Sequence, residues 1–312
     1  MNRFETYIPS ARAAYALLVV GAVVWGSGIV IGRGVHEAIP PIGLGFWRAI
    51  VALVLLLPVV LPDLGRVKAI LRRHWRVFVA LGFLQVWPQA LMLLALNYTT
   101  AINVTLVNGA QPAMAAIAMG ILYRDRVTRG QAIGIVLALA GIVVMVSRGD
   151  WQTVATLQFN GGDWLALGCI VLFSLYSILL PRVPHELGLT TMLFLISLCG
   201  AVTIFPVYLY ESLFVRAMDF NGVTVVTVLW MGAVISAASI LLWNMCLRAI
   251  GTQKATIFLN LNPVFAAIFA IVFLGEQLHL YHLGGAVLVG GGITLVIRLA
   301  RQAPIVVAKA EA

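Results

Sequence analysis

Two apolar stretches of the chain carry the same unusual set of carboxamides followed by a proline. The first begins at residue 103 and reads NVTLVNGAQPAMAAIAMGIL, and the second begins at residue 255 and reads ATIFLNLNPVFAAIFAIVFL. The residues in question are Asn108, Gln111 and Pro112 in the first stretch, and Asn260, Asn262 and Pro263 in the second. Carboxamides donate and accept hydrogen bonds without ionising. Such side chains suit reversible binding of a polar solute better than acid–base or nucleophilic chemistry.

Other polar and aromatic side chains also lie within apolar stretches, where an unpaired polar group is costly. They either hydrogen-bond between helices or line a cavity, and the sequence leaves both alternatives open. Tryptophan and tyrosine could stack on an aromatic or cationic solute, or only anchor helices at a membrane surface. We predict that a solute contacts Trp25, Gln85, Asn108, Gln111, Tyr176, Ser239, Trp243, Asn260 and Asn262.

The composition indicates where these side chains lie. The 312 residues are 62% hydrophobic and 10% charged, with a mean hydropathy of +1.03. A soluble domain has about a quarter charged residues and less than half apolar ones. We therefore predict an all-α integral membrane protein with room for about ten spans of roughly 20 residues. Because Cys169, Cys199 and Cys246 lack CxxC spacing and no histidine set indicates a metal site, no cofactor or metal is expected.

Apolar runs predict ten transmembrane helices, numbered here as spans 1 to 10, at 13–36, 42–62, 77–96, 99–122, 130–148, 163–181, 187–210, 222–247, 252–274 and 282–299.

Lys and Arg lie mainly in alternate loops. The sixteen on one side are Arg3, Arg12, Arg66, Lys68, Arg72, Arg73, Arg76, Arg124, Arg126, Arg129, Arg182, Arg248, Lys254, Arg298, Arg301 and Lys309, against Arg148 and Arg216 on the other. Since basic loops stay in the cytoplasm, both termini are predicted to be cytoplasmic. The net charge of +9 is then an orientation signal rather than a sign of nucleic-acid binding.

The second half of the chain repeats the first. A shift of 151 residues places Thr105, Pro112, Gly134 and Gly141 on Thr256, Pro263, Gly285 and Gly292. Upstream, the match needs a shift of 147 to 149 residues. We therefore predict two repeats of five spans, 1–150 and 151–312. Because five is odd, the repeats cross the membrane in opposite directions, as in alternating-access carriers with a site near the midplane.

The two long stretches LNYTTAINVTLVNGAQPAMAAIAMGILYRDRVTRGQAIGIVLALAGIVVMV and LWNMCLRAIGTQKATIFLNLNPVFAAIFAIVFLGEQLHLYHLGGAVLVGGGITLVI resemble the paired repeats of the drug/metabolite transporter superfamily. Within it, the chain resembles the ten-helix bacterial exporter (EamA-type) branch and is most similar to exporters of aromatic amino acids. The resemblance covers nearly the whole chain. It rests on the repeated proline, the acidic residue after each (Asp125 and Glu276) and the Gly-rich last span. It implies a multi-pass exporter of the bacterial inner membrane.

Three residues are predicted to act in gating or as hinges. Arg48, in the sequence GFWRA, lies about 9 Å into span 2 and resembles an arginine that members of the superfamily carry. It either snorkels to the outer surface or helps to close the outer face. Pro112 and Pro263 interrupt spans 4 and 9, and the alternative is that they only shape packing.

None of the eleven acidic residues lies in the centre of a predicted span. Proton-driven carriers usually hold such a carboxylate, so its absence favours uncoupled facilitated diffusion or exchange of a neutral or zwitterionic solute. The expected function is export of aromatic or neutral amino acids, and the alternative is proton-coupled export of other metabolites or drugs. A pore stays a further alternative, and a membrane-embedded enzyme is disfavoured because the spans contain no catalytic set. The expected partners are a small-molecule substrate and the lipid bilayer, with no nucleic acid, and monomer and dimer both stay open.

Overall fold

The computed structural model describes residues 9–123, 129–150, 160–183, 187–250, 258 and 261–299. The α-helices of this part are α1 Ala11–Gly34, α2 Pro41–Val60, α3 Leu64–Ala95, α4 Ala101–Asn108, α5 Gln111–Tyr123, α6 Arg129–Val146, α7 Gly161–Leu179, α8 Leu189–Tyr210, α9 Gly222–Leu229, α10 Ser239–Ile250, α11 Leu261–Leu274 and α12 Leu280–Leu299. A π-helix, Trp230–Ala238, joins α9 to α10, and a π turn, Glu211–Val215, extends α8. The described residues therefore include a helix within each of the ten predicted spans.

The helices are apolar enough for a bilayer. Five continuous runs in the described residues are long and apolar enough to cross a membrane: Ala11–Gly34, Pro41–Ala95, Gly161–Leu179, Leu189–Val215 and Gly222–Trp243. The run Pro41–Ala95 is 55 residues long because it contains both span 2 and span 3. Shorter apolar helices are Ala132–Met145, Leu261–Leu274 and Leu280–Leu295. The prediction of an all-α membrane fold is confirmed.

Polar residues mark where several helices begin. The side chains of Ser10, Thr100, Asn160 and Asn221 each accept a hydrogen bond from a backbone N–H in the first turn of the following helix. These residue types are the preferred N-caps, because their short side chains satisfy N–H groups that lack a partner within the helix. The caps fix the first residues of α1, α4, α7 and α9.

Two spans differ from their predicted form. Helix α3 begins at Leu64 rather than at residue 77, and its backbone leaves helical geometry at His74, where the basic segment meets the apolar span. Span 4 is not one helix: α4 ends at Asn108 and α5 begins at Gln111. Pro112 explains this interruption, since it has no N–H to donate to the carbonyl of Asn108.

The spans pack with a pseudo-twofold pattern in which the largest contacts have counterparts five spans away. Span 1 packs against spans 8 and 9, and span 6 packs against spans 3 and 4. Span 3 packs against span 7, and span 8 packs against span 2. The pairs of spans 2 and 7, 4 and 9, and 5 and 10 pack directly against each other. The two repeats are therefore structural copies of each other.

Glycines show that the copies are inverted. A Cβ on Gly292 would lie 2.4 Å from the carbonyl oxygen of Gly134, and a Cβ on Gly141 would lie 2.7 Å from that of Gly285. Residue 134 thus contacts 292 while 141 contacts 285, so α6 and α12 run antiparallel. Because 134 and 285, and also 141 and 292, are equivalent positions, these contacts are exchanged by the pseudo-twofold axis. The predicted inverted repeat is confirmed.

The same symmetry relates spans 3 and 8. A Cβ on Gly82 would lie 2.7 Å from the carbonyl oxygen of Ile196, and one on Gly232 would lie 2.9 Å from that of Arg48. Gly82 and Gly232 are 150 residues apart, and Arg48 and Ile196 are 148 apart. Both separations lie in the range of 147 to 151 residues that aligns the repeats. Close backbone packing at these glycines holds each repeat against the other.

Candidate functional site

Arg48 is a buried cation in span 2. Its side chain is 6% exposed, and its Nε donates a 2.9 Å hydrogen bond to Ser236 Oγ in the π-helix. Gly232 allows this approach, because its lack of a side chain brings the π-helix against the α2 backbone. Among the described residues, no carboxylate forms an ion pair with Arg48. A buried guanidinium without a counter-ion attracts an anionic group.

The Arg48–Ser236 pair is present in one half only. The equivalent positions in the other half are Ile196 and Val86, which are both buried and apolar. The polar chemistry at this level therefore breaks the pseudo-twofold symmetry. Ser236 belongs to the polar residues of the spans but was not among the predicted solute contacts, because nothing in the sequence indicates its partner 188 residues away.

Gln85 lies close to the level of Arg48. A Cβ on Gly45 would lie 2.9 Å from the Ala90 Cβ, which sets the register of the antiparallel helices α2 and α3. From that register, Gln85 lies about 3 Å from the level of Arg48 along the helix axis. The Gln85 side chain is 5% exposed, and no described residue donates a hydrogen bond to its Oε1. It is a buried acceptor that a ligand donor could satisfy.

Trp25 and Trp243 form an aromatic pair between the repeats. Their ring centroids are 5.5 Å apart and the rings are inclined by 58°. A Cβ on Gly28 would lie 2.6 Å from Ile235 Cδ1, so Trp25 lies about 3 Å from the level of Ser236. Trp243 also packs on the apolar cluster of Ala14, Leu18 and Cys246. The pair contributes to packing between α1 and α10 and leaves Trp25 half-buried near the polar residues.

Asn108 and Asn262 lie where spans 4 and 9 meet. Asn108 Nδ2 lies 3.3 Å from Met92 Sδ, and Asn262 Oδ1 is buried with no donor among the described residues. A Cβ on Gly109 would lie 3.7 Å from Pro263 Cγ, which brings the two asparagine-bearing segments together. We use the term central polar layer for Trp25, Arg48, Gln85, Asn108, Ser236 and Asn262.

The two prolines stand in the first turns of their helices. Pro112 is the second residue of α5 and Pro263 the third residue of α11. The missing N–H costs little at these positions, because first-turn N–H groups lack a partner within the helix. Their action as hinges stays a prediction.

Other predicted contact residues have different surroundings. The backbone carbonyl of Gln111 accepts a 3.3 Å hydrogen bond from Ser174 Oγ. Tyr176 packs against the apolar cluster of α2, α3 and α8, and Ser239 Oγ donates a 2.6 Å hydrogen bond to the Ile235 carbonyl in its own helical segment. Asn260 lies outside the described residues.

One end of the bundle carries carboxylates that bind helix N-termini across the repeats. Glu211, which is 8% exposed at the end of span 7, accepts hydrogen bonds from the Ile42 and Gly43 N–H groups at 3.2 and 2.7 Å. Glu276, after span 9, accepts hydrogen bonds from the Ala101 and Ile102 N–H groups at 2.8 and 3.0 Å. We call this end the carboxylate face.

Asp163 adds a third contact between the repeats at the carboxylate face. It is 3% exposed at the start of span 6, and its Oδ1 accepts hydrogen bonds of 3.2 Å from Thr99 Oγ1 and Asn103 Nδ2. Arg216 likewise donates hydrogen bonds to the His36 and Glu37 carbonyls. The sequence places these residues at span ends but does not indicate their partners, which are at least 60 residues away.

The opposite end of the bundle carries the basic segment of α3. Arg66, Lys68, Arg72 and Arg73 are exposed there, before the turn at His74. We call this end the basic face. Spans 2, 4 and 8 therefore start at the carboxylate face, while spans 3 and 7 start at the basic face.

Comparison with known proteins gives matches along most of the chain. The EamA-like transporter family matches residues 12–147 and, a second time, residues 160–298. Two similar proteins from Bacillus subtilis are the uncharacterized transporters YyaM, 29% identical over 79% of this chain and 81% of that protein, and YetK, 26% identical over 96% and 94%. An uncharacterized transporter of Archaeoglobus fulgidus is 27% identical over 90% of this chain and 96% of that protein. A solved crystal structure shares the fold, with a TM-score of 0.60 and 20% identity, over 94% of this chain and all of that one.

Proposed function

Because the chain belongs to the EamA-like transporter family and is a multi-pass membrane transporter rather than an enzyme, we propose that it exports aromatic or neutral amino acids. The proposed route is alternating access by facilitated diffusion or exchange. None of the three relatives has a name that specifies a substrate. The amino-acid specificity therefore rests on the chemistry of the central polar layer.

The observation that carries the proposal is that this layer holds two kinds of group without a partner among the described residues. One is a cation without a carboxylate, and the other is a pair of acceptors without a hydrogen-bond donor. Arg48 is a buried cation with no ion-paired carboxylate among the described residues. Gln85 Oε1 and Asn262 Oδ1 are buried acceptors to which no described residue donates. An amino acid supplies both missing partners, because its carboxylate can bind a guanidinium while its ammonium donates to amide oxygens. Trp25 would favour an aromatic side chain through stacking.

Orientation and localisation are part of the proposal. The basic segment of α3 and the other basic loops of the same side would face the cytoplasm of a bacterial cell, with both termini there. The carboxylate face would then be the outer face of the inner membrane. Movement of an amino acid toward that face would be export.

Uncoupled transport is supported by the placement of the carboxylates. Asp163, Glu211 and Glu276 lie at span ends, at the carboxylate face, rather than in the central polar layer.

The second candidate function is proton-coupled export, which is favoured by the burial of Asp163 and Glu211, because a buried carboxylate can carry a proton.

Counterflow in proteoliposomes tests the proposed function. Vesicles loaded with unlabelled Phe, Trp, Thr, Lys or a neutral sugar are diluted into the matching labelled solute without an ion gradient. We expect transient accumulation with Phe, Trp and Thr, because exchange by a carrier drives labelled solute inward. A pore would give no such accumulation.

The same assay separates the alternatives. Accumulation that requires an imposed proton gradient would support the proton-coupled exporter. No accumulation of any amino acid with or without that gradient would overturn the amino-acid proposal. Protein-free vesicles and vesicles with heat-unfolded protein serve as controls.

Two serines of the spans provide a matched pair of variants. Ser236→Ala removes the acceptor of Arg48 Nε, and a lost hydrogen bond to a charged group costs about 1.5–3 kcal/mol. We expect about tenfold weaker counterflow of amino acids. Ser177→Ala removes an exposed hydroxyl that donates to the Phe173 carbonyl of its own helix, so counterflow should stay within about twofold of wild type. Equal losses in the two variants would contradict the assigned role of Ser236.

A further inference from the structure

The two glutamates of the carboxylate face each join one repeat to the other. Glu211 belongs to the second repeat and binds the first N–H groups of α2 in the first repeat. Glu276 belongs to the second repeat and binds the first N–H groups of α4 in the first. Each carboxylate satisfies N–H groups that have no partner within their own helix, and the helix dipole strengthens the contact. These contacts join the two repeats at the carboxylate face.

The pseudo-twofold axis relates the Glu211 contact to residues at the basic face. The shift of 148 residues that relates Arg48 to Ile196 also relates Pro58 to Pro206, and both prolines lie inside their helices. The same shift places Asp63 on Glu211, which preserves the carboxylate. It also places Thr190 and Thr191, in the first turn of α8, on Ile42 and Gly43.

The basic-face counterpart is not engaged in this structure. Asp63 is exposed, and its side chain makes no hydrogen bond to a described residue. Helix α8 begins after Gly188, which provides no side-chain cap. Among the described residues, the carboxylate thus accepts hydrogen bonds from a helix N-terminus at the carboxylate face and makes no such bond at the basic face. This difference is what an inverted repeat shows when one face is closed and the other is not.

We propose that Glu211 and Asp63 alternately hold the two faces of the protein closed during the transport cycle, and we call each of them a latch. In the described state Glu211 closes the carboxylate face. In the opposite state Glu211 leaves α2, and Asp63 binds the N–H groups of Thr190 and Thr191 to close the basic face. The inference rests on the alternating-access mechanism proposed above and adds the residues that hold each closed state. Glu276 has its own counterpart, Asp125, which lies outside the described residues.

Disulfide cross-linking measures both latches in one assay. The three native cysteines, Cys169, Cys199 and Cys246, are buried and free, and alanine replaces them in the parent protein. Gly43→Cys with Glu211→Cys reports the described closure, since a Cβ on residue 43 would lie 3.5 Å from the Glu211 Oε2 atom. Asp63→Cys with Thr191→Cys reports the opposite closure. Both pairs are oxidised in proteoliposomes without substrate.

We expect both pairs to cross-link, each in a fraction of the molecules. Each cross-link should stop counterflow, and a reductant should restore it, because both closures belong to one cycle. A thermal unfolding temperature close to that of the cysteine-free parent shows that the reduced variants are folded. A 63–191 pair that never cross-links in a folded variant would overturn the alternating latch. Because cross-linking needs no substrate, this result is separate from failure of the amino-acid assignment, which counterflow alone measures.

Charge-neutral variants distinguish a latch from a simple helix cap. Glu211→Gln should raise the rate of 63–191 cross-linking about tenfold, because it weakens the competing closed state. Asp63→Asn should raise 43–211 cross-linking in the same way. A cap with only a structural role would leave both rates unchanged, and that outcome would overturn the proposal. Glu37→Gln is the matched control, because this carboxylate at the same face is 90% exposed, and it should change neither rate.

Discussion

Replacing Arg48 by methionine is expected to weaken binding of amino acids about 100-fold. Methionine keeps an unbranched side chain of similar length but removes the charge that would bind the substrate carboxylate. The two or more charge-assisted hydrogen bonds that a guanidinium makes to a carboxylate are worth about 1.5–3 kcal/mol each. Equilibrium binding to the purified protein and counterflow, both as a function of substrate concentration, provide the measurement.

Stability measurements separate this role from a structural one. Removal of a buried charge without a counter-ion should leave the thermal unfolding temperature unchanged or raise it, because the desolvation cost disappears. Arg33→Met is a matched control, since Arg33 donates to the Leu96 carbonyl at the carboxylate face, outside the central polar layer. Unchanged affinity with a lower maximal rate would contradict carboxylate binding by Arg48 and support its predicted role in gating.

Replacing Gly292 by alanine is expected to lower the unfolding temperature by several degrees. The new Cβ would lie 2.4 Å from the Gly134 carbonyl oxygen and 2.7 Å from the Ala138 N atom, and both are backbone atoms. Helices α6 and α12 must therefore separate, and overpacking of this kind costs about 1–3 kcal/mol. The cost exceeds the gain of about 1 kcal/mol that alanine gives over glycine within a helix.

The neighbouring Gly291→Ala is the control. No heavy atom lies within 4 Å of a Cβ at that position. Alanine there should raise the unfolding temperature slightly or leave it unchanged. The measurement is thermal unfolding of the purified variants in one detergent. Equal unfolding temperatures for the two variants would contradict the close contact of spans 5 and 10.

The sequence predicts the spans and the repeat well because both depend on regular patterns. Long apolar runs locate membrane helices, and the 151-residue shift identifies the second copy. The glycine pairs 134 with 285 and 141 with 292 are visible in that shift, and the structure shows that they form the contact between spans 5 and 10. A pattern that repeats along the chain can be recognised without knowledge of tertiary contacts.

Contacts between distant side chains leave no such pattern. Glu211 and Glu276 bind backbone N–H groups 168 to 175 residues away, and any sequence supplies N–H groups. Arg48 could equally snorkel or point inward until its contact with Ser236 is known. The π-helix Trp230–Ala238 was also missed, because its wider turn comes from packing rather than from a residue such as proline. Tertiary packing decides these features.

The paired glycines of spans 5 and 10 also bear on how such a chain can evolve. Each glycine contact between spans 5 and 10 has a second copy in which the two repeats exchange roles. A symmetric homodimer interface has the same form. In a homodimer every substitution occurs in both subunits. In a fused chain a mutation changes one half alone, so Arg48 and Ser236 can exist opposite an apolar Ile196 and Val86. Gene fusion thus permits an asymmetric arrangement of polar residues within a scaffold whose packing stays symmetric.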